Sequence, residues 1–150
     1  MEKILVPIDG SLASKKAAEV AIEKAKHYGS KVTFLSIADI PQSYRYGVEG
    51  ISVSDEVYEK LIAGLIEQQT NMLDAFMAKI DCTGILHDKK VLTGEPYYEI
   101  VKFANELNSD LIVMGRRGFS SIKRFFVGSV TQRVISDAPC PVLVVNEQEK

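Results

Sequence analysis

Small residues in the last third of the chain are spaced so that they could bind a phosphate. A strand-like run at 110–114 leads into Gly-Arg-Arg-Gly at 115–118, and Gly-Ser-Val-Thr follows at 128–131. Small residues let backbone N–H groups approach an anion closely, and a helix starting at Ser129 would direct its positive end to the same place. The spacing therefore predicts a phosphate-binding loop, with the side chains of Arg116, Arg117, Lys123 and Arg124 as its cationic groups.

Length and composition limit the kinds of protein this chain could be. With 150 residues, 46% hydrophobic and 25% charged, it is expected to fold as one domain spanning 1–150. A formal net charge of -2 argues against duplex nucleic acid as a partner. No apolar run is long enough for a signal peptide or a membrane span, so we expect a cytoplasmic protein. Cys82 and Cys140 lack disulfide or metal-ligand spacing and are predicted to be buried thiols in a reducing compartment.

Hydrophobic periodicity predicts strands and helices that alternate along the whole chain. The predicted strands are 4–8, 31–37, 85–93, 110–115 and 141–145, and the predicted helices are 11–28, 55–80, one from 96, and 130–138. Such alternation predicts an α/β fold with an open parallel five-stranded sheet, helices on both faces and right-handed crossovers. A ligand crevice is expected at the carboxyl ends of the strands, where Asp9 and Gly115 lie.

The stretch 40–52 interrupts this pattern and reads as a long loop. Long loops in compact domains are often functional lids. Its Tyr44 and Tyr46 could stack on a base or pack on their own surface, and the sequence leaves both roles open.

Four segments resemble the universal stress protein family, in order and over the whole chain. They are Ile-Leu-Val-Pro-Ile-Asp-Gly-Ser at 4–11, Val-x2-Gly-x-Pro at 91–96, the strand and glycine loop at 110–118, and Pro-Cys-Pro-Val-Leu-Val-Val at 139–145. One branch of that family binds ATP through Gly-x2-Gly-x9-Gly-Ser/Thr. Gly115, Gly118, Gly128 and Ser129 match that pattern in residue type and spacing.

The resemblance implies a flavodoxin-like sheet of order 3-2-1-4-5 and an adenine-nucleotide site at the carboxyl ends of its strands. It assigns Pro7, Ile8 and Asp9 to the adenosine pocket and Ile37 to the adenine. It assigns the remaining site positions to the fourth strand end, the loop over ribose and phosphates, and the phosphate-facing helix start: Met114, Gly115, Arg116, Arg117, Gly118, Gly128, Ser129, Val130 and Thr131. The ligand implied is ATP, with ADP or AMP as alternatives because the glycines would bind phosphate in general.

The resemblance also implies a homodimer that pairs through the last strand, which begins at Pro141 and ends at Val145. The sequence supports the same interpretation, because an apolar strand at a sheet edge usually needs a partner. Other protein partners cannot be named from the sequence.

Several site residues have an ordinary structural interpretation as well. Asp9 could cap a helix or turn as readily as contact a ligand. Ser129 could be an N-cap whether or not an anion is bound. Lys123 and Arg124 read as solvent-facing charges more readily than as phosphate ligands.

The sequence offers little machinery for catalysis, and no catalytic residue is assigned. The Gly-x4-Gly-Lys-Ser/Thr signature of P-loop enzymes is absent. Asp9 is the one acidic residue placed at the pocket, where it could hold Mg²⁺ through waters. His27 and His87 are predicted to lie away from the glycine loop.

Three functions therefore remain open. The first is an ATP-binding regulator of the stress response. The second is a slow ATPase or autophosphorylating protein with Asp9, a metal, and Ser120, Ser121, Ser129 or Thr131 as acceptor. The third is a dimeric scaffold whose pocket is vestigial.

Overall fold

The computed structural model describes residues 1–45, 53–119 and 126–147, in which strands and helices alternate. The elements are β1 (Lys3–Pro7), α1 (Leu12–Tyr28), β2 (Lys31–Asp39), α2 (Gln42–Arg45), α3 (Asp55–Met77), β3 (Leu86–Gly94), α4 (Pro96–Leu107), β4 (Leu111–Gly115), α5 (Ser129–Asp137) and β5 (Val142–Val145). The strands form one parallel sheet of order β3-β2-β1-β4-β5, which confirms the predicted fold and strand order.

Two apolar layers cover the two faces of the sheet. Residues on one face of β1 pack with α1 and α3, whereas Leu5 and Ile112 pack on the other face with α4 and α5. The central strand β1 is apolar on both sides, and its Ile4, Leu5 and Val6 are fully buried. Burial of both sides of a parallel strand explains its continuous apolar sequence.

Helix α1 lies close to the sheet because its buried face is made of small residues. Its apolar stripe includes Ala17, Ala18, Ala21 and Ala25, and each of these side chains is buried. The helix ends at Gly29, whose φ of 68° is a left-handed conformation that glycine adopts at little cost. The predicted glycine C-cap is therefore confirmed.

Several predicted boundaries are wrong by a few residues. Helix α3 ends at Met77 instead of residue 80, and β2 continues to Asp39 instead of ending at 37. The predicted loop 40–52 contains the short helix α2, while 46–52 lies outside the described residues. Helix and strand ends carry weak sequence signals, because capping and pairing with neighbours decide them.

Both cysteines are only partly buried, so the prediction of buried thiols is wrong. Cys82 follows α3 and Cys140 precedes β5, and segments that connect elements run over the surface. Partial burial still raises the pKa of each thiol, because it disfavours the thiolate.

No helix within 1–45, 53–119 and 126–147 is both long enough and apolar enough to cross a membrane.

The carboxylate of Asp110 fastens the start of β1 beside the start of β4. Its Oδ2 accepts hydrogen bonds from the backbone N–H of Glu2 at 2.7 Å and of Lys3 at 3.0 Å. These two bonds favour the charged form and hold the pKa of Asp110 below its ordinary value.

We expect Asp110→Asn to lower the melting temperature at pH 7 slightly, because the hydrogen bonds of this carboxylate are exposed to solvent. A carboxyl whose folded pKa is depressed contributes stability above its unfolded pKa of about 3.9, and that contribution is lost as the pH falls through the folded pKa. The difference in melting temperature between the wild type and Asp110→Asn should therefore become smaller in acid, as measured by thermal unfolding over a pH series. A gap that stays constant across the acid range would contradict this role of the charge.

Candidate functional site

A cleft of about 400 Å³ opens at the carboxyl ends of the strands, where β1 and β4 lie side by side. In parallel α/β sheets this is the edge at which ligands bind. All predicted site positions except Arg116 line the cleft: Pro7, Ile8, Asp9, Ile37, Met114, Gly115, Arg117, Gly118, Gly128, Ser129, Val130 and Thr131. The fold thus brings together residues from β1, β2, β4, α5 and the loop after β4.

Three glycines of the cleft lie where the backbone meets other atoms at short distance. A Cβ built at Gly115 would lie 2.7 Å from Ala13 Cβ, and one at Gly128 would lie 3.2 Å from Arg117 Cα. A Cβ at Gly118 would overlap with Asp9 Oδ2. Gly115 thus lets α1 pack against β4, while Gly118 leaves room for the Asp9 carboxylate.

Asp9 forms the turn between β1 and α1. Its Oδ1 accepts a hydrogen bond from the Ser11 N–H at 2.9 Å. Ser11 is the N-cap of α1, and its hydroxyl oxygen accepts from the Ser14 N–H at 3.2 Å. Asp9 therefore has the turn role that the sequence allowed, and its carboxylate also lines the cleft beside Gly118.

Helix α5 begins at the opposite wall of the cleft. Its N-cap is Gly128, so the prediction that Ser129 could be the N-cap is wrong, and Ser129 is the first helical residue. The hydroxyl of Thr131 is buried and donates to the Gly115 carbonyl oxygen at 2.9 Å. Because Gly128 has no side chain to cap the first turn, this end of α5 can offer its N–H groups to an anion.

The two arginines of the glycine loop have different positions. Arg117 lines the cleft, and its Nε and Nη2 donate to Glu147 Oε1 at 3.0 and 2.6 Å. The backbone of Arg116 instead bridges two elements, because its N–H donates to the Val145 carbonyl oxygen and its own carbonyl accepts from the Gly128 N–H. Arg116 is not among the lining residues of the cleft.

The cleft also contains polar residues that sequence reasoning missed. Asp39, at the end of β2, and Gln69, in the middle of α3, both line it. Gln69 Nε2 donates to Ser36 Oγ at 2.6 Å, and the Ser36 hydroxyl donates to the Ile8 carbonyl oxygen at 2.8 Å. Had the second strand been predicted to end at residue 39, Asp39 would have been expected at the carboxyl edge of the sheet. Nothing in the sequence pattern indicates that Gln69 lies in the cleft.

The side chain of Arg133 on α5 contacts the start of α4, which borders the cleft. Arg133 Nη1 donates to Glu95 Oε1 at 2.6 Å, and its guanidinium lies 3.6 Å from the centre of the Tyr97 ring. Glu95 and Tyr97 flank Pro96, which lines the cleft. These contacts link the two helices that border the cleft, in addition to their packing in the core.

The histidines lie elsewhere, as the sequence predicted. His27 is in the last turn of α1 against the edge of the Tyr28 ring, and His87 is on β3 near Phe34. Neither is among the residues that line the cleft.

Some predicted positions lie outside the described residues, namely Tyr46, Ser120, Ser121, Lys123 and Arg124. Tyr44 lies in α2 and is exposed. It is not among the residues that line the cleft.

Comparison with known proteins agrees with this architecture. The family model described as the universal stress protein family matches residues 1–146. A universal stress protein of Methanocaldococcus jannaschii is 36% identical over 149 residues, which cover 99% of this chain and 84% of that protein. The structure of a universal stress protein from Lactobacillus plantarum has a TM-score of 0.77 and 25% identity, and the match covers 96% of this chain and 97% of that one.

Two more distant structures share the fold and contain a nucleotide. A universal stress protein family protein from Arabidopsis thaliana has AMP bound; it is 18% identical with a TM-score of 0.66, and the match covers 99% of this chain and 93% of that one. A universal stress protein in complex with cAMP is 21% identical with a TM-score of 0.61, and the match covers 98% of each chain.

Proposed function

The chain belongs to the universal stress protein family, and we propose that its cleft binds an adenine nucleotide, ATP in the first place. On this proposal the protein is a nucleotide-dependent regulator of the stress response, acting through partners that respond to whether the cleft is occupied.

The single observation that carries the proposal is the way the glycines frame the cleft. Gly118 and Gly128 lie in two separate segments, and both line it together with the first turn of α5. Glycines have no Cβ and so allow a phosphate group to approach the backbone closely, and the N-terminus of a helix offers N–H groups to it. The Gly-x2-Gly-x9-Gly-Ser pattern thus supports phosphate binding in its three-dimensional arrangement as well as in its spacing.

The rest of the cleft suits a nucleoside. Apolar side chains line it from β2, α4 and α5, including Leu35, Ile37, Ile100 and Val130. Ligand pockets commonly have a volume of about 300–1,000 Å³ and combine apolar walls with a few polar groups that fix orientation. Family members with AMP and with cAMP support an adenine nucleotide as the ligand.

Contacts in the cleft favour binding over efficient turnover. The Thr131 hydroxyl is buried and donates to a backbone carbonyl, which is a poor arrangement for a phosphate acceptor. Asp9 already accepts from the Ser11 N–H, although its carboxylate could still reach a nucleotide-bound Mg²⁺ through water. Efficient phosphoryl transfer requires a positioned metal and nucleophile besides a phosphate cradle.

Titration calorimetry with ATP, ADP and AMP, each with and without Mg²⁺, tests the proposal. Binding with preference for ATP supports it, and absence of binding to all three would favour the scaffold with a vestigial pocket. Phosphate release above the level of an Asp9→Ala variant would favour the slow ATPase, and a phosphoprotein found by mass spectrometry would favour autophosphorylation.

We also propose that two copies pair through β5. This strand pairs with β4 at the edge of the sheet, and all four of its residues, Val-Leu-Val-Val, are apolar. Ile112 N–H donates to the Pro141 carbonyl oxygen and Arg116 N–H donates to that of Val145, so alternate residues face β4. The backbone polar groups of Val142 and Val144 therefore face outward, where a second strand could pair with them.

We expect Val144→Pro to weaken the dimer by at least about tenfold, because proline removes an outward-facing N–H and disfavours pairing on that side. The hydrogen bonds between β4 and β5 involve the residues on either side of Val144. The substitution therefore removes none of them, and the fold should be retained. Sedimentation velocity over a concentration series measures the association, and circular dichroism checks the fold. A wild-type protein that stays monomeric at every concentration would refute the pairing.

A further inference from the structure

The ion pair between Arg117 and Glu147 joins the glycine loop to the segment that follows β5. Two donors of the Arg117 guanidinium, Nε at 3.0 Å and Nη2 at 2.6 Å, share one oxygen of Glu147. The side chains are 15% and 25% exposed, which makes this the most buried of the ion pairs described for this chain. An ion pair with little solvent around it is screened less than one on the open surface.

Backbone hydrogen bonds fix the two partners relative to each other. The Arg116 N–H donates to the Val145 carbonyl oxygen at 2.9 Å, which continues the pairing of β4 with β5 by one residue. The Arg116 carbonyl oxygen accepts from the Gly128 N–H at 2.8 Å, which attaches the same residue to the start of α5. Glu147 therefore approaches the cleft from the sheet edge, two residues beyond the end of β5.

This arrangement places a negative charge beside the guanidinium of Arg117, a residue that lines the cleft. An anionic ligand that contacts Arg117 competes with Glu147 for the guanidinium. It also experiences repulsion from the carboxylate, and by Coulomb's law this repulsion grows with the charge that the ligand carries. An uncharged ligand in the same cleft experiences neither effect.

We propose that Glu147, acting through Arg117, is a specificity-determining residue that lowers the affinity of the cleft in proportion to the number of phosphate groups on the nucleotide. The proposal rests on the proposed function, because it concerns the ligand of the same cleft. Adenosine is unaffected, AMP is disfavoured slightly and ATP most strongly. In the native protein, Glu147 therefore reduces the preference for ATP over AMP and adenosine that the glycines and the start of α5 would otherwise give.

The test compares the wild type with Glu147→Gln, which keeps the shape of the side chain and removes its charge. Affinities for adenosine, AMP, ADP and ATP are measured by calorimetry at one ionic strength and with EDTA present, so that no Mg²⁺ offsets the phosphate charge. We expect ATP to bind at least about fivefold more tightly, with smaller gains for ADP and AMP. Adenosine should bind as it does to the wild type.

Glu106→Gln is the matched control. Glu106 lies on α4, pairs with Lys102 at 4.0 Å, and is exposed. Its replacement by glutamine changes the net charge by the same amount as Glu147→Gln, but away from the cleft. Its affinities should follow those of the wild type for all four ligands. If this control raises ATP affinity as much as Glu147→Gln does, the effect is one of overall charge and the inference is refuted.

The outcomes separate this inference from the proposed function. Equal changes for adenosine and ATP in Glu147→Gln, or no change for either, would refute the charge role of Glu147 while leaving nucleotide binding established. No binding of any ligand by the wild type would refute both. A double-mutant cycle with Arg117→Gln gives a further check, because the gain from Glu147→Gln should shrink when Arg117 is absent.

Discussion

We expect the replacement of Gly118 by tryptophan to prevent the proposed nucleotide binding and to leave the fold intact. Gly118 lines the cleft, and a side chain added there projects against the Asp9 carboxylate and into the space proposed for the ligand. We expect the affinity for ATP to fall by at least about 100-fold, equivalent to about 2.8 kcal/mol. Calorimetry or fluorescence titration measures the loss.

The backbone of Gly118 can accept this substitution. Its φ does not lie in the positive range, unlike those of Gly10, Gly29, Gly84 and Gly94. The atom in the way is the end of the Asp9 side chain, which can turn aside, whereas a side chain at Gly128 would press on the Arg117 backbone at 3.2 Å. Gly118 is therefore a cleaner test position than Gly128.

Gly64→Trp is the matched control for this experiment. Gly64 lies on the exposed side of α3, nothing lies within 4 Å of a Cβ built there, and it does not line the cleft. This variant should bind ATP like the wild type. Undiminished ATP affinity in a folded Gly118→Trp would refute the assignment of the cleft.

Gly115→Ala should destabilise the protein by about 1–3 kcal/mol, because one methyl group has no room at that position. Its Cβ would lie 2.7 Å from Ala13 Cβ and 2.9 Å from the backbone carbonyl carbon of Ala13. Ala13 is fully buried in the first turn of α1, so relief requires a shift of the helix itself. Urea unfolding at pH 7 measures the change in the free energy of unfolding.

The same substitution at Gly64 should increase the free energy of unfolding instead. In an exposed helix interior, alanine stabilises relative to glycine by about 0.5–1 kcal/mol, because the unfolded chain loses less conformational entropy on folding. A Gly115→Ala protein as stable as the wild type would show that α1 and β4 can separate without cost, and would contradict their close packing at Gly115.

Predictions from the sequence were reliable wherever one local pattern decided the outcome. Alternating apolar strands and amphipathic helices predicted the α/β class, and Gly29 marked the end of α1, because these signals depend on residues close together in the chain. The resemblance supplied the strand order and the predicted site positions. Apart from Arg116, the fold brings those positions together.

Predictions failed where a residue's surroundings come from distant segments. Ser129 has the residue type of an N-cap, yet that position belongs to Gly128, whose N–H donates to the Arg116 carbonyl oxygen. The cysteines resemble core residues in type, but the connections in which they lie run along the surface. Gln69 sits in an unremarkable helical stretch, and it reaches the cleft only because α3 packs near β2 and Ser36 accepts its amide hydrogen.

By itself the sequence determined the fold class, the principal helices and strands, and the glycine spacing that predicts a phosphate site. Only the tertiary structure decided that Asp9 meets Gly118, that Gln69 enters the cleft, and that Glu147 pairs with Arg117. Periodicity reports how each segment is buried, which is a local property. Contacts between residues 30 or more positions apart depend on how the sheet orders its strands, and no local pattern encodes them.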